Sequence, residues 1–404
     1  MSAAPPPDVP PGVPGPVSAN APAGTSLAAP SCAERSRRLA EVMERRGEWP
    51  VRSPWIRAAV EALPRHRFAP DRLWHWDGHA YRPVDRAADA ARWAEEIYPG
   101  PDTATVTQVT DGLATSSLSC QGVVVDILDS LRLEPGHRVL ELGTGTGWNA
   151  ALLAYRAGHG RVTSVETDAG LAATARERLD RAAADVTVAI GDGTGGWPCD
   201  APYDRVVATY AVDRIPWAWI AQTRPGGRIV APWGRLGHVA LTVSADGGAA
   251  SGWIQGLAQF MPARGSGDRT VLTDFGQIRR QARATAERPW TRDPAPLRKD
   301  WHLLFALRVA LPDVRIVTAV ETDGLNAWLH DGVSSWATLS AGASGATLAS
   351  QGGPRRLADE LEAAWDDWTD VGEPELYEYG LTAEASGRQY AWAHDPDTGP
   401  RWPL

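Results

Sequence analysis

Three glycines stand close together in the segment RVLELGTGTGWNAALLA, which covers residues 138–154. They are Gly143, Gly145 and Gly147, and they follow a short apolar run that is typical of a buried strand. Glycine has no Cβ, so the backbone can turn tightly and approach a ligand closely. Parallel α/β sheets bind nucleotides where a strand passes through such a turn into a helix. The segment therefore predicts a nucleotide-type ligand at the carboxyl end of a strand.

The details of the turn argue against a dinucleotide. The dinucleotide fingerprint has glycine or alanine at its sixth position, and counting from Gly143 that position is Trp148. The pattern here is instead acidic-x-Gly-x-Gly-x-Gly, beginning at Glu141. This form resembles the S-adenosylmethionine site of class I methyltransferases, and the resemblance implies cofactor contacts from Glu141, Thr144 and the three glycines.

Two carboxylates follow the next two predicted strands. Glu166 ends the segment RVTSVE, where an acidic side chain can accept both ribose hydroxyls of a nucleoside. Asp192 follows the third strand, beside Gly191 and Gly193, and is placed to accept from an adenine amino group. Either carboxylate alone could be a solvated strand end. Together with the glycine turn they favour a cofactor site.

The elements that position these residues alternate between strand and helix. Apolar strand patterns cover residues 138–142, 161–166, 186–190, 204–209 and 227–232, with helical patterns between them. This alternation predicts a doubly wound parallel sheet of the α/β class. Upstream of it, residues 110–120 are interpreted as a polar loop that enters a helix.

The composition of the flanking segments divides the chain into four parts. Residues 1–30 are rich in Pro, Ala and Gly and are predicted to form a disordered tail. Residues 31–110 are interpreted as a helical and aromatic segment that faces the substrate. Residues 111–264 are predicted to form a Rossmann-like methyltransferase domain, and residues 265–404 a C-terminal α+β domain.

Composition and charge exclude several classes of function. The net charge of −9 gives no support for nucleic-acid binding, and no apolar run approaches the length of a membrane span. Three widely spaced cysteines offer neither a disulfide framework nor a CxxC site, which favours the cytoplasm. His75 and His79 could share a metal if they were helical, but Asp77 and Gly78 favour a turn and no third ligand stands out. No metal is predicted.

Several motifs, in order, resemble those of protein-L-isoaspartate O-methyltransferases. They are AVEALPRHRFAP, RVLELGTGTGWNAALLA, GDGTGGWPCDAPYDRVVATYAVDRIP and QTRPGGRIVAPWG. In that family a Thr-x-Ser segment before the glycine-rich motif carries the active-site hydroxyl. Alignment without gaps places the serine at Ser119 and the threonine at Ser117, with Gln121 where the family usually has proline. The resemblance implies S-adenosylmethionine as cofactor and a catalytic role for these two serines.

The implied reaction makes little demand on acid–base chemistry. A carboxylate is already ionised at neutral pH, so it can attack a sulfonium methyl group without a strong general base. The enzyme must align the reactants and exclude water, and a serine hydroxyl suits the first task.

The length of the chain suggests which kind of family member it is. Its aromatic segment and its long C-terminal extension resemble the methyltransferases that act beside ATP-grasp ligases on ribosomally made, crosslinked (graspetide-like) peptides. By that resemblance the substrate is an aspartate of an acidic macrocyclic peptide, and the product is an aspartimide or isoaspartate. The alternatives are a repair protein-L-isoaspartate O-methyltransferase and a non-catalytic S-adenosylmethionine-binding module. The sequence does not predict an oligomeric state.

Overall fold

The computed structural model describes residues 29–234, 236–264, 275–322, 324–341 and 346–404. The predicted disordered tail, residues 1–30, lies outside the described residues except for its last two positions. None of the helices in the described part of the chain is both long and apolar enough to cross a bilayer.

The helices range from a single turn to four turns. In chain order they are α1 Cys32–Arg46, α2 Trp55–Ala62, α3 Ala90–Ile97, α4 Gln121–Leu131, α5 Trp148–Ala157, α6 Ala169–Arg181, α7 Trp217–Ala221, α8 Phe275–Gln281, α9 Pro296–Lys299, α10 Trp301–Ala310 and α11 Leu357–Asp370.

The strands of the described residues form three sheets. In chain order they are β1 Arg72–Trp76, β2 Tyr81–Asp85, β3 Thr105–Thr110, β4 Leu113–Leu118, β5 Val139–Leu142, β6 Val162–Glu166, β7 Val186–Ile190, β8 Tyr203–Ala208, β9 Thr223–Trp233, β10 Gly237–Val243, β11 Ala249–Leu257, β12 Ala284–Pro289, β13 Arg315–Glu321, β14 Gly324–His330, β15 Trp336–Ala341, β16 Thr347–Gly352, β17 Tyr379–Glu384, β18 Gln389–Ala393 and β19 Arg401–Pro403.

The largest sheet has the strand order β19-β18-β17-β11-β10-β9-β8-β5-β6-β7. The five strands from β7 to β9 are parallel to their neighbours, which confirms the predicted α/β sheet. The remaining strands continue it in antiparallel pairing. This antiparallel half was not predicted, because the strands that the sequence analysis assigned to this sheet ended with β9.

Helices cover both faces of the large sheet. On one face Leu140 and Leu142 share a buried cluster with side chains of α7, α10 and α11. On the other, Val139 shares a cluster with side chains of α2, α4, α5 and α6. The C-terminal helices therefore have a continuous core with the sheet. The predicted boundary at residue 265 falls outside the described residues, and the division into domains stays a prediction.

A second sheet, in the order β2-β1-β3-β4, precedes α4. Asp77 and Gly78 lie in the connection between β1 and β2, which confirms the predicted turn. Asp111 and Gly112, with φ of 51° and 79°, connect β3 to β4. Asp-Gly is a preferred pair for two-residue hairpin turns that need positive φ at both positions. The prediction of a loop over residues 110–120 is therefore wrong for β4, whose backbone pairs with β3.

The third sheet lies in the C-terminal segment, residues 275–404, and has the order β12-β16-β15-β14-β13. All of its pairings are antiparallel. Together with α10 and α11 it gives this segment the mixed α and β content that the sequence predicts.

Candidate functional site

A cavity of about 2050 Å³ opens at the carboxyl ends of the parallel strands. Its walls come from the turns after β5, β6, β7 and β8, from β4 and α4, and from α10 and β13 of the C-terminal segment. Small-molecule sites usually measure roughly 300–1,000 Å³. The cavity therefore has room for a cofactor and a segment of polypeptide.

The cavity wall contains most of the residues that the sequence predicts for the site. Those that line it are Ser117, Ser119, Gly143, Thr144, Gly145, Glu166, Asp192 and Gly193. The three that do not line it are Glu141, Gly147 and Gly191.

Gly143 and Gly145, two of the three glycines after β5, have different functions in the turn. All have positive φ, of 97° at Gly143, 54° at Gly145 and 89° at Gly147. A Cβ on Gly143 would collide with the hydroxyl of Thr209, so this glycine is required by packing. A Cβ on Gly145 would have only the hydroxyl oxygen of Ser116 near it, at 3.8 Å. Gly145 is therefore the position where the backbone faces open space in the cavity.

Glu141 lies behind the turn and is fully buried. Its carboxylate accepts hydrogen bonds from Ser164 Oγ at 2.5 Å and Asn149 Nδ2 at 2.8 Å. Ser164 Oγ is in turn 2.6 Å from the hydroxyl oxygen of Thr144. This chain of contacts joins β5, β6, the turn and the start of α5. These contacts show that Glu141 helps to position the turn, and a direct contact between Glu141 and the cofactor stays a prediction.

The burial of Glu141 leads to a testable pH dependence of stability. Burial raises the pKa of Glu141 from 4.5 to about 7. The folded protein therefore holds this proton over a pH range in which the unfolded chain releases it. That preference stabilises the fold below pH 4.5 and is lost as the pH rises to about 7. Between these limits we expect wild type to lose about 3 kcal/mol of unfolding free energy relative to Glu141→Gln.

Urea unfolding of both proteins from pH 4.5 to 8 measures this difference. Parallel stability curves over the whole range would contradict the account of Glu141.

Glu166 and Asp192 present carboxylates to the same cavity. Glu166 accepts from the backbone N–H groups of Gly145, at 2.9 Å, and Asp168, at 3.1 Å. Each of its oxygens keeps a further lone pair that can accept from a ligand. Asp192 accepts from the backbone N–H and the hydroxyl of Thr194, and these bonds lower its pKa. It is exposed at the cavity wall in its ionised form.

Tyr210 is a site residue that the sequence analysis missed. Its ring packs against the turns after β5 and β7, since a Cβ on Gly143 or Gly193 would press against it. Its hydroxyl is buried and has no hydrogen-bond partner in the described part of the chain. An unsatisfied buried hydroxyl costs about 1–3 kcal/mol, so a ligand atom that bonds it would be favoured. Burial also raises its pKa. No local pattern distinguishes Tyr210 from a core aromatic.

The serine-rich strand β4 forms the wall opposite the glycine turn. Ser116 is buried and its hydroxyl accepts from the Thr107 hydroxyl at 3.1 Å. Ser119 follows β4 directly and is half-buried at the entrance to α4. Among the described residues, no hydrogen bond engages the hydroxyl of Ser119 or of Ser117. Both hydroxyls are thus available to a substrate.

Arg65 is a second site residue that the sequence analysis missed. Its side chain positions the backbone of the Ser119 segment. This side chain is fully buried and donates from Nη2 to the carbonyl oxygens of Leu118, at 3.2 Å, and Ser119, at 3.0 Å. Its guanidinium lies over Trp148, 5.4 Å from the ring centroid. Trp148 begins α5, so Arg65 connects the serine segment to the helix that follows the glycine turn. It lies in the motif PRHRFAP, which was the one signal available.

A polar cluster fixes the β3–β4 hairpin above the end of β6. Arg264 donates to Asp168 at 3.2 Å and to Gln108 at 2.8 Å, and Gln108 itself donates to Asp168 at 3.2 Å. The cluster holds the serine strand close to Glu166.

The histidine pair does not form a metal site. His75 lies on β1 and is 3.0 Å from Glu96, whereas His79 lies in the following turn. Within the described ranges, no three His, Cys, Asp or Glu side chains come together as metal ligands would.

Comparison with known proteins gives consistent results. The model of the protein-L-isoaspartate(D-aspartate) O-methyltransferase family matches residues 37–262. The protein-L-isoaspartate O-methyltransferase of Pyrococcus abyssi is 34% identical over 202 residues, which are 50% of this chain and 80% of that protein. The enzyme of the same name from Hyperthermus butylicus is 35% identical over 211 residues, 50% of this chain and 76% of its own.

A solved structure of a protein-L-isoaspartate O-methyltransferase has the same fold. It matches 89% of this chain and all of its own with a TM-score of 0.50 and 19% identity. The family model ends at residue 262, so residues 263–404 lie beyond that match.

Proposed function

This chain belongs to the protein-L-isoaspartate(D-aspartate) O-methyltransferase family, and we propose that it methylates the carboxylate of isoaspartyl residues in peptides and proteins. It is a carboxyl O-methyltransferase of the class I fold, and its methyl donor is S-adenosylmethionine. The relatives support an isoaspartyl substrate better than the crosslinked aspartyl peptide that the sequence analysis favours.

One observation carries the proposal: a single cavity has the glycine turn, Glu166 and Asp192 on one wall and, on the other, serine hydroxyls that no described residue engages in a hydrogen bond. Gly145 leaves room for a ligand beside the backbone, and Glu166 and Asp192 supply acceptors for hydroxyl and amino groups. The buried hydroxyl of Tyr210 offers a further polar contact. These residues fit S-adenosylmethionine, which when bound supplies an electrophilic methyl group.

The chain's own residues bind and orient the carboxylate. Because a substrate carboxylate is ionised at neutral pH, none of them has to remove a proton from it. The hydroxyl of Ser119 donates a hydrogen bond to one carboxylate oxygen and leaves the other free to react. Arg65 fixes the backbone of Ser119 through its carbonyl oxygen. Restricting the carboxylate in this way raises the fraction of bound substrate in a reactive geometry.

The choice of substrate is tested with matched peptides. We expect kcat/KM for an isoaspartyl peptide to exceed that for the normal aspartyl peptide of the same sequence by about 100-fold, because the extra backbone methylene shifts the carboxylate. Steady-state assays with each peptide and S-adenosylmethionine give the ratio. A ratio near one would contradict an isoaspartyl preference.

A crosslinked peptide in the same assay tests the second candidate function, in which the substrate is an aspartate of an acidic macrocyclic peptide. The cavity favours this candidate as well, since residues beyond the family match form part of its wall. The methyl ester would lose methanol when the next backbone nitrogen attacks it, giving a succinimide that hydrolyses to aspartate and isoaspartate. Efficient turnover of only the crosslinked peptide would establish this candidate. Cofactor binding without turnover of any peptide would instead indicate a non-catalytic module.

A further inference from the structure

The cavity wall that the C-terminal segment forms contains a partly buried positive charge. Arg308, on α10, lines the cavity and is half-buried. Burial lowers the pKa of its guanidinium, yet the group stays cationic at neutral pH. A charge removed from water needs a partner of opposite charge.

The described residues supply no such partner. They place no carboxylate in an ion pair with Arg308, and burial is the one cause of its shifted pKa. Other arginines of the same segment are paired: Arg288 lies 2.6 Å from Glu362, and Arg355 lies 2.5 Å from Glu360. The chain has 49 acidic residues against 40 basic ones, yet none of the described carboxylates forms an ion pair with Arg308.

The surroundings of Arg308 suit a peptide. Arg315, on β13, lines the same cavity, and burial lowers its pKa as well. Trp301 and Tyr377 also line the cavity, and 40% and 52% of their surfaces are exposed to solvent. Exposed aromatic rings contribute apolar contact area with little loss of side-chain freedom. The wall therefore combines positive charge with rings that can pack on a polypeptide.

We propose that Arg308 binds a second carboxylate of the peptide substrate, separate from the one that is methylated, and thereby selects acidic peptides. The identity of the occupant rests on the proposed function, because the same cavity holds the serine hydroxyls and the cofactor site. The carboxylate belongs either to an aspartate or glutamate side chain or to the C-terminus of the peptide. Both would form charge-assisted hydrogen bonds with a guanidinium.

The test measures binding apart from turnover. Isoaspartyl peptides are titrated calorimetrically into the full chain saturated with S-adenosylhomocysteine. One series of peptides carries glutamate at successive positions on either side of the isoaspartate, and a second carries glutamine at the same positions. A third series compares a free C-terminus with an amidated one. The variants are Arg308→Gln and, as a matched control, Arg298→Gln. Arg298 is exposed in the same segment, outside the cavity wall, and donates to the carbonyl oxygen of Thr318.

At one spacing, or with the free C-terminus, we expect wild type to bind the charged peptide about 10-fold more tightly than its neutral counterpart. Arg308→Gln should remove this difference and Arg298→Gln should retain it. Equal affinity for all peptides in wild type, or a preference that persists in Arg308→Gln, would overturn the proposal, as would failure of every peptide to bind.

Methyl-transfer assays with the same peptides separate this inference from the proposed function. If the charged peptide binds more tightly through Arg308 but no peptide is methylated, the carboxylate-binding role of Arg308 is supported and the proposed reaction is refuted. Turnover without the preference would do the reverse.

Discussion

Replacing Gly145 with valine is expected to weaken S-adenosylmethionine binding by at least about 100-fold. Gly145 has open space on its cavity side, and the nearest atom that a Cβ would meet is Ser116 Oγ, at 3.8 Å. A branched side chain would fill the gap between the turn and the serine strand. The space that the cofactor needs beside the backbone would be lost. Calorimetric titration of both proteins with S-adenosylmethionine measures the change.

A control is needed because valine is also strained at a positive φ. Gly47, at the end of α1, has a φ of 69°, and a Cβ on it would meet no atom within 4 Å. Gly47→Val therefore introduces comparable backbone strain at a residue that does not itself line the cavity. We expect it to lower the melting temperature with cofactor affinity unchanged. Equal losses of affinity in the two variants, or normal affinity in Gly145→Val, would refute the placement of the cofactor at this turn.

Substitution of Ser119 by alanine should lower kcat by about 100-fold. Its hydroxyl is at the cavity wall, and none of the described residues engages it in a hydrogen bond. Loss of the hydroxyl removes the group that orients the substrate carboxylate but leaves the glycine turn, Glu166 and Asp192 intact. Initial-rate assays at saturating peptide give kcat. Calorimetry gives the affinity for S-adenosylmethionine, which should stay within about twofold of wild type.

Two further variants show whether the effect belongs to the hydroxyl of this residue. Ser119→Thr keeps a hydroxyl and should recover a large part of kcat. Ser117→Ala removes the neighbouring free hydroxyl and should have a smaller effect. If Ser119→Ala lowered cofactor affinity as much as turnover, the serine would be a structural residue of the α4 entrance.

The cofactor half of the site could be predicted because its geometry follows from local patterns. The strand, the glycine turn and the helix are consecutive in sequence, and the carboxyl ends of parallel strands meet at one edge of a sheet. Glu166 and Asp192 therefore had to lie near Gly145 once β5, β6 and β7 were recognised. The direction of the Glu141 side chain did not follow, since a strand residue before the turn can point either to the ligand or into the core. Its contacts with Ser164 and Asn149 decide for the core.

The substrate half depends on contacts between distant segments, which local patterns do not encode. Arg65 reaches the carbonyl oxygen of Ser119 from 54 positions away, and Tyr210 lies against glycines of two other turns. The sequence of β4 favours a loop, because serine and threonine are common in loops, and only its pairing with β3 shows that it is a strand. The Asp111-Gly112 pair before it was the available hairpin signal. The wall around Arg308 comes from a segment whose position depends on tertiary packing alone.

The most direct test of the central claim is transfer of a labelled methyl group from S-adenosylmethionine to an isoaspartyl peptide by the full chain. We predict one S-adenosylhomocysteine for each methyl group gained by the peptide, and release of the label as methanol at alkaline pH, as a carboxyl ester requires. No labelling of this peptide or of a crosslinked aspartyl peptide, or a label that is stable to alkali, would contradict the assignment of the chain as a carboxyl O-methyltransferase.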